Sequence, residues 1–466
     1  MTRSAKWLLA ILGFLLIAIY VVALELGDLR KHTVEFEWLF FSAFILYGIA
    51  CFIALQFDAH AVDHRMLYSI FILTSVMQGI LVFTRPTLSD DMYRYVWDGK
   101  VQAHGISPYR YPPDAPELTQ LRDNNIYPHI NRKNVVTVYP PAAEASYFLL
   151  WRILPDNVHW FQATMAMGGL LAGILLVGLL KDLGYSPARA LILLWSPLLI
   201  FETAHSAHVD GLILPLLVGA WWARVRERGA LAGFLLGVAT AMKFYPALML
   251  PFLWRPQGRK DRWMMPMMFA IAIAIFYTPY MLISGKLVLG YLPNYFLEKF
   301  NISPLVSVLN QMLDGLKLSI LNPLTLLSLG MLFVTAVWCV LHPPEGAETA
   351  LRRCILPIGI VTLLSQDLFS WYMLWLLPLT AIFLQPSTKK LKVFALPRMD
   401  AWLGWWLFCG LVGLSYIFFI KWKPVNLAIQ VEFMPLYLIL FINLIISLWK
   451  KFALYLKPAS IQQSPS

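Results

Sequence analysis

Residues 66–100 read MLYSIFILTSVMQGILVF, then TRPTL, then SDDMYRYVWDGK: an apolar run that ends at Phe83 and gives way to Ser89-Asp90-Asp91-Met92-Tyr93-Arg94-Tyr95. An apolar run of this length crosses a bilayer as a helix, for which about 20 residues suffice. The polar stretch opens the longest polar loop of the chain. Its paired carboxylates therefore stand where a helix leaves the membrane, a position from which a general base meets substrate at the lipid boundary.

The rest of the chain has the same character. Of 466 residues, 59% are hydrophobic and 14% charged, with a mean hydropathy of +0.65, which excludes a soluble protein of this length. Further spans are read at 7–24, 38–56, 160–180, 189–201, 211–223, 263–283, 318–341, 401–420 and 431–449. The first is read as a retained span and not a cleaved leader, because no small-residue cleavage site follows it. Residues 231–254 begin and end beside basic clusters, Arg224, Arg226 and Arg228 on one side and Arg255, Arg259, Lys260 and Arg262 on the other. Pro246 interrupts them after Lys243-Phe244-Tyr245, so the segment reads as a re-entrant hairpin with Lys243 near its tip. A second hairpin through Gln366 to Trp371 reaches Lys389, Lys390 and Lys392.

The expected fold is an all-α polytopic membrane protein with about twelve spans plus the re-entrant helical hairpin. One catalytic domain covers 1–459, with a large first extracytoplasmic loop at 84–159, and 460–466 form a disordered cytoplasmic tail. The net charge of +11 sits in short loops, where it sets topology and does not point to nucleic acid. By that asymmetry both termini are cytoplasmic and the loop faces outside. Cys51, Cys339, Cys354 and Cys409 lack paired spacing, so neither a disulfide framework nor a metal site is expected.

Inside the loop, Met92, Val96, Gly99 and Ala103 recur at helical spacing until His104-Gly105, which predicts an interfacial helix lying along the membrane. Pro108, Pro112, Pro113, Pro116 and Pro128 hold an extended course, and Tyr139-Pro140-Pro141 opens a second short helix over 142–154. Tyr93, Tyr95, Trp97, Tyr109, Tyr111, Tyr127 and Tyr139 suit the headgroup level and also stacking on a sugar face.

The run from Asp90-Asp91-Met92-Tyr93-Arg94-Tyr95 through Gly105-Ile106-Ser107-Pro108-Tyr109 to Tyr139-Pro140-Pro141 resembles the first outer loop of the glycosyltransferase C superfamily. Met242-Lys243-Phe244-Tyr245-Pro246 is similar to an element of the first GPI-anchor mannosyltransferases, and Trp371-Tyr372-Met373-Leu374-Trp375 fits the same order. The likeness extends to the polyprenol-phosphate-mannose-dependent mannosyltransferases of actinobacterial lipoglycan synthesis. It implies a lipid-phosphate sugar donor, an outer-face site and a carboxylate base in the first large outer loop. By that resemblance Asp91, followed by Tyr95, is the base.

The residues support the same chemistry. A glycosyl phosphate carries a good leaving group, so inverting transfer needs a base for the acceptor hydroxyl and cationic or hydroxyl donors around the departing phosphate. Asp91 and Lys243 supply the two roles, with Asp90 the next acid. Arg94, Tyr95, His208, Asp210, Tyr245, Tyr139, Trp371 and Tyr372 are the further candidates for donor phosphate or substrate. Lys243 lies inside an apolar segment, where a charge costs roughly 2.5–3.5 kcal/mol on insertion scales and marks a functional cavity.

Plainer readings stand beside these. Asp90 caps a helix, Asp91 answers the helix dipole and Lys243 snorkels. His205-Ser206-Ala207-His208-Val209-Asp210 is a substrate-contacting outer turn or, alternatively, a metal site. Trp371, Tyr372 and Trp375 are interfacial anchors, and Glu432 contacts substrate or is solvated. The expected function is an inverting glycosyltransferase moving a sugar, mannose first, from a polyprenyl-phosphate donor to a glycan, lipid-glycan or protein hydroxyl outside a bacterial inner membrane, without cofactor, metal or nucleic acid. The alternative is a transporter or flippase for lipid-linked saccharides, against which stand the lack of an internal repeat and the acidic motif outside the spans.

Overall fold

The computed structural model describes residues 3–57, 64–254, 263–295, 298, 300–313, 323–390 and 395–455. The tail at 460–466, the basic residues Arg255, Arg259, Lys260 and Arg262, and Lys392 lie outside the described residues.

Among the described residues, eight helices are long and apolar enough to cross a membrane: Ser4–Leu26, Thr33–Ala54, His64–Val82, Val158–Asp182, Met264–Tyr295, Leu324–Leu341, Ala401–Lys421 and Asn426–Lys450. A pair bent by 57°, Pro187–Leu194 and Pro197–His205, makes up to nine if it forms one span. Some apolar segments form helices shorter than a full crossing, among them the expected span 211–223 and the first arm of the expected re-entrant hairpin. The helix Asp210–Val225 has 16 residues, Gly229–Met242 has 14 and Ile355–Leu364 has 10. At about 1.5 Å per residue, even the longest of these reaches only about 24 Å against a hydrocarbon core of roughly 30 Å. Proline and polar residues set the breaks. Pro197 follows a kink at Ser196, and a π-turn at Phe201–His205 follows it. The helix Gly229–Met242 stops at Lys243, whose backbone is extended (φ −158°, ψ 136°).

Glycines permit the closest helix crossings. A Cβ on Gly168 would lie 2.2 Å from the Gly211 carbonyl oxygen, and one on Gly233 would lie 2.0 Å from that of Met265. Only bare backbone fits there, as is common where membrane helices touch. Outward, Trp7, Phe14, Ile45 and Phe333 expose large apolar side chains, which the hydrocarbon of a bilayer covers. The chain is an integral membrane protein built almost wholly of helices. Among the described residues, a small antiparallel ribbon, Pro386–Lys390 with Ala395–Pro397, adds to the all-α reading.

The two loop helices form close to their predicted places, as Asp91–Ala103 and Pro141–Ile153. The first ends at His104, and Gly105 takes φ +78°, the left-handed conformation glycine adopts at least cost. The first is not a surface helix in the way the spacing suggests, whereas the second keeps Phe148, Leu149 and Ile153 exposed on one face. Met92 to Val101 are buried, because the second helix packs on one side and the 105–140 segment folds over the other, sinking Leu118, Leu121, Ile126 and Ile130. The aromatic residues follow suit. Tyr95, Trp97 and Tyr109 are core residues of this cap and not headgroup anchors, and Tyr95 stacks on Tyr147 at 4.5 Å.

Candidate functional site

A cavity of about 500 Å³ opens where the cap meets the broken helices, lined by Asp91, Tyr139, Lys243, Tyr372, Asp367 and Arg132 among others. Asp91 begins the first cap helix, where the positive end of the helix dipole favours an anion. Its carboxylate is held from both sides: Asn131 Nδ2 donates to Oδ1 at 2.8 Å and the Tyr139 hydroxyl donates to Oδ2 at 3.2 Å. Burial, and then the charge of Asp91 itself, push the Tyr139 phenol well above its ordinary value, so it stays a hydroxyl donor. Tyr95 stands 3.4 Å beyond it and completes the chain of hydroxyls.

Asp90 plays another part. Its backbone occupies the helix N-cap, yet the side chain makes no capping bond; it accepts from Arg30 Nη2 at 2.9 Å and Nη1 at 3.3 Å. The turn between the first two spans is thereby tied to the start of the first cap helix. Ser89 Oγ takes the Asp91 N–H instead, at 3.3 Å.

Among the described residues, every basic side chain lining the cavity is paired with a carboxylate: Arg30 with Asp90, Arg94 with Asp98, Arg132 with Glu298 and Lys243 with Asp210. Arg94 is largely spent inside the cap. Its Nε lies 2.9 Å from both oxygens of Asp98, and Nη1 donates to the Val135 carbonyl at 3.1 Å. Lys243 keeps more freedom. Its ammonium donates to both Asp210 oxygens, at 3.0 and 2.8 Å, and lies 4.8 Å above Tyr372 and 5.3 Å above Trp375. An ammonium has three donors, so one remains for a cavity ligand.

The His205-to-Asp210 segment is buried, not an outer turn, and its polar side chains diverge. His205 bonds Thr84 at 2.7 Å and Thr87 at 3.2 Å, His208 lies 2.9 Å from a Glu202 oxygen, and Asp210 receives Lys243 and, at 2.6 Å, Trp375 Nε1. His208 and Asp210 thus stand behind the cavity wall. Trp371 is closed on both faces, by His208 at 3.9 Å and Phe369 at 4.5 Å, so it is neither a free sugar platform nor an interfacial anchor. Tyr372 and Tyr245 close the two faces of Trp375 in the same way, at 5.0 and 3.2 Å. Glu432 is buried, not solvated, and accepts from the Asn301 amide at 3.3 Å. That bond also buries the acceptor nitrogen of the Asn301-Ile302-Ser303 sequon.

Sequence reading missed Asn131, Arg132, Arg30 and Asp367. Asp367 is the least conventional of them, since neither oxygen has a hydrogen-bond partner among the described residues. Burial, with the charges of Glu298 and Asp91, pushes its carboxyl up to about 7, while the nearby Tyr295 hydroxyl and Arg132 pull the other way. A partly buried acid at a cavity wall, surrounded by groups from distant segments, is the kind of signal a sequence does not carry.

Comparison with known proteins agrees with the sequence resemblance. Residues 38–255 match the family model of the alpha-(1->6)-mannopyranosyltransferase N-terminal domain, the MptA_B family. GPI mannosyltransferase 1 of Aspergillus fumigatus is 32% identical over 127 residues, covering 24% of this chain and 30% of that protein. GPI mannosyltransferase 1 of Gibberella zeae is 30% identical over 155 residues, covering 30% of this chain and 36% of that protein. These matches span about a third of the curated relatives' length. The chain is similar to glycosyltransferase C mannosyltransferases, and the matched region carries Asp91, Asn131, Tyr139, Asp210 and Lys243.

Proposed function

We propose that the protein is an inverting glycosyltransferase that moves a sugar, mannose first, from a polyprenyl-phosphate donor to a hydroxyl of a glycan, lipid-glycan or protein acceptor. The observation that carries this reading is the cavity in which Asp91, oriented by two hydrogen bonds and free of any ion pair among the described residues, shares a wall with Lys243. The acceptor oxygen forms a bond to the anomeric carbon as the bond from that carbon to the phosphate oxygen breaks. Asp91 takes the hydroxyl proton, and polyprenyl phosphate leaves with the electron pair, its charge met by Lys243. Tyr95, Tyr139, Tyr245 and Tyr372 shape the pocket. In this reading the site faces the outside of a bacterial inner membrane, an orientation that the basic-loop asymmetry supports.

Purified protein incubated with radiolabelled polyprenyl-phosphate mannose, glucose and galactose and membrane extract is expected to label a saccharide product from the mannose donor. Labelling from none of the three removes the reading.

The orientation is tested separately. A cysteine at Gly99 is unsuitable, because its Cβ would stand 2.4 Å from the Tyr147 carbonyl oxygen. Gln120 is exposed on the cap and Gly229 has room for a side chain. Gln120→Cys is expected to react with a membrane-impermeant thiol reagent in intact cells and Gly229→Cys only after lysis. The reverse pattern places the cavity on the cytoplasmic face.

A further inference from the structure

Asn131 lies in the loop segment between the two cap helices, far from any motif, yet its amide makes the shorter of the two hydrogen bonds to Asp91. Local structure aims it there. Ile130, on one side, is sunk in the cap core. Arg132, on the other, adopts φ +48°, an uncommon conformation for a residue with a side chain, and its guanidinium pairs with Glu298 from a distant segment. A buried apolar anchor and an ion pair thus fix the backbone on both sides of Asn131. The same segment is tied again where Tyr291 N–H donates to the Thr137 carbonyl at 2.9 Å.

We propose that Asn131 is a positioning residue for the transfer reaction: it occupies one lone pair of Asp91 Oδ1 and so fixes which side of the carboxylate faces the acceptor hydroxyl. This rests on the glycosyltransferase reading given above. An amide is suited to the task. It donates to the carboxylate without a charge, whereas an arginine or lysine there would stabilise the ionised form and weaken the base. Tyr139, the second donor, is likewise neutral. Among the described residues, the other groups whose charges or hydroxyls bear on Asp91 include Arg132, Asp367, Tyr95, Tyr147 and Tyr295.

Two variants test the role in the full-length protein in lipid nanodiscs, with polyprenyl-phosphate mannose as donor. Asn131→Ala frees the carboxylate to rotate, and is expected to lower kcat by roughly 10–100-fold with the donor KM within about threefold, the signature of lost alignment. Asn131→Asp is nearly isosteric, so folding is preserved, but it sets a second carboxyl against the first. Two carboxyls sharing a site bind a proton between them, so the acidic limb of its pH–rate profile is expected to move up by about one unit or more, with activity recovering at higher pH. A residue that does not touch the base leaves that limb in place. An Asn131→Asp profile that coincides with wild type, or near-normal kcat in Asn131→Ala, removes the positioning role while leaving the reaction standing. A wild-type protein that transfers nothing overturns the reaction and this role together.

Discussion

Asp91→Asn is expected to lower sugar transfer by roughly 10² or more while the protein still folds, inserts and binds donor. The substitution keeps the shape of the side chain. Its amide oxygen still accepts from Asn131 Nδ2, and its amide nitrogen is met by the Tyr139 hydroxyl turned round to accept, with Tyr95 next in the chain. What disappears is the basic lone pair, so the loss falls on kcat and not on donor affinity. The new glycosidic bond is expected to have the opposite anomeric configuration to the donor, because one base and one displacement allow no second inversion. Asp90→Asn makes the contrast. It weakens the clasp to Arg30, a pair both of whose side chains are partly exposed, and pairs of that kind are worth about 1 kcal/mol or less. Transfer in Asp90→Asn is expected to stay within about tenfold of wild type. Retention of configuration, or near-normal turnover in folded Asp91→Asn, removes Asp91 from the role of base.

That contrast also marks what the sequence makes legible. Asp91 and Tyr95 lie in one motif whose helix begins and ends on local signals, Ser89 before it and Gly105 after it, Tyr139 lies in a second motif that opens the next helix, and the structure brings the three into one hydroxyl–carboxylate chain. The break at Lys243 is legible for the same reason, since Pro246 announces it. What stays hidden is pairing between distant segments. Arg30 finds Asp90 across 60 residues, Asn131 finds Asp91 across 40 and Lys243 finds Asp210 across 33, and no periodicity records such distances. Hydropathy also does not separate a buried shorter helix from a span, as Asp210–Val225, expected as a crossing at 211–223, demonstrates. The aromatic residues of the cap misled in a different way. Tyrosine and tryptophan suit both a headgroup belt and a packed core with polar partners, and only the fold of 105–140 over the first cap helix decides for the core.

Lys243→Met is expected to do more harm than removal of a phosphate ligand alone. Asp210 is nearly inaccessible to solvent, and without Lys243 its carboxylate keeps, among the described residues, only the Trp375 indole N–H as a donor. Breaking a buried ion pair from one side costs about 3–5 kcal/mol, enough to deplete the folded protein in membranes. Loss of activity in the single variant therefore does not by itself assign the lysine to the donor. Lys243→Met combined with Asp210→Asn separates the two effects. The asparagine is neutral, still accepts from Trp375 and leaves no orphaned charge, so the double variant is expected to recover wild-type levels of folded protein, read by thermal unfolding in detergent. Its donor KM is expected to remain raised by at least about tenfold, the equivalent of one charge-assisted bond to phosphate. Lys243→Arg is expected to rescue poorly, because a planar fork does not fit between the Asp210 carboxylate and the rings of Tyr372 and Trp375, where a compact ammonium does. If the folded double variant uses donor normally, Lys243 serves the fold alone. Arg132, the more exposed of the cavity's paired cations, then becomes the group to test against the phosphate.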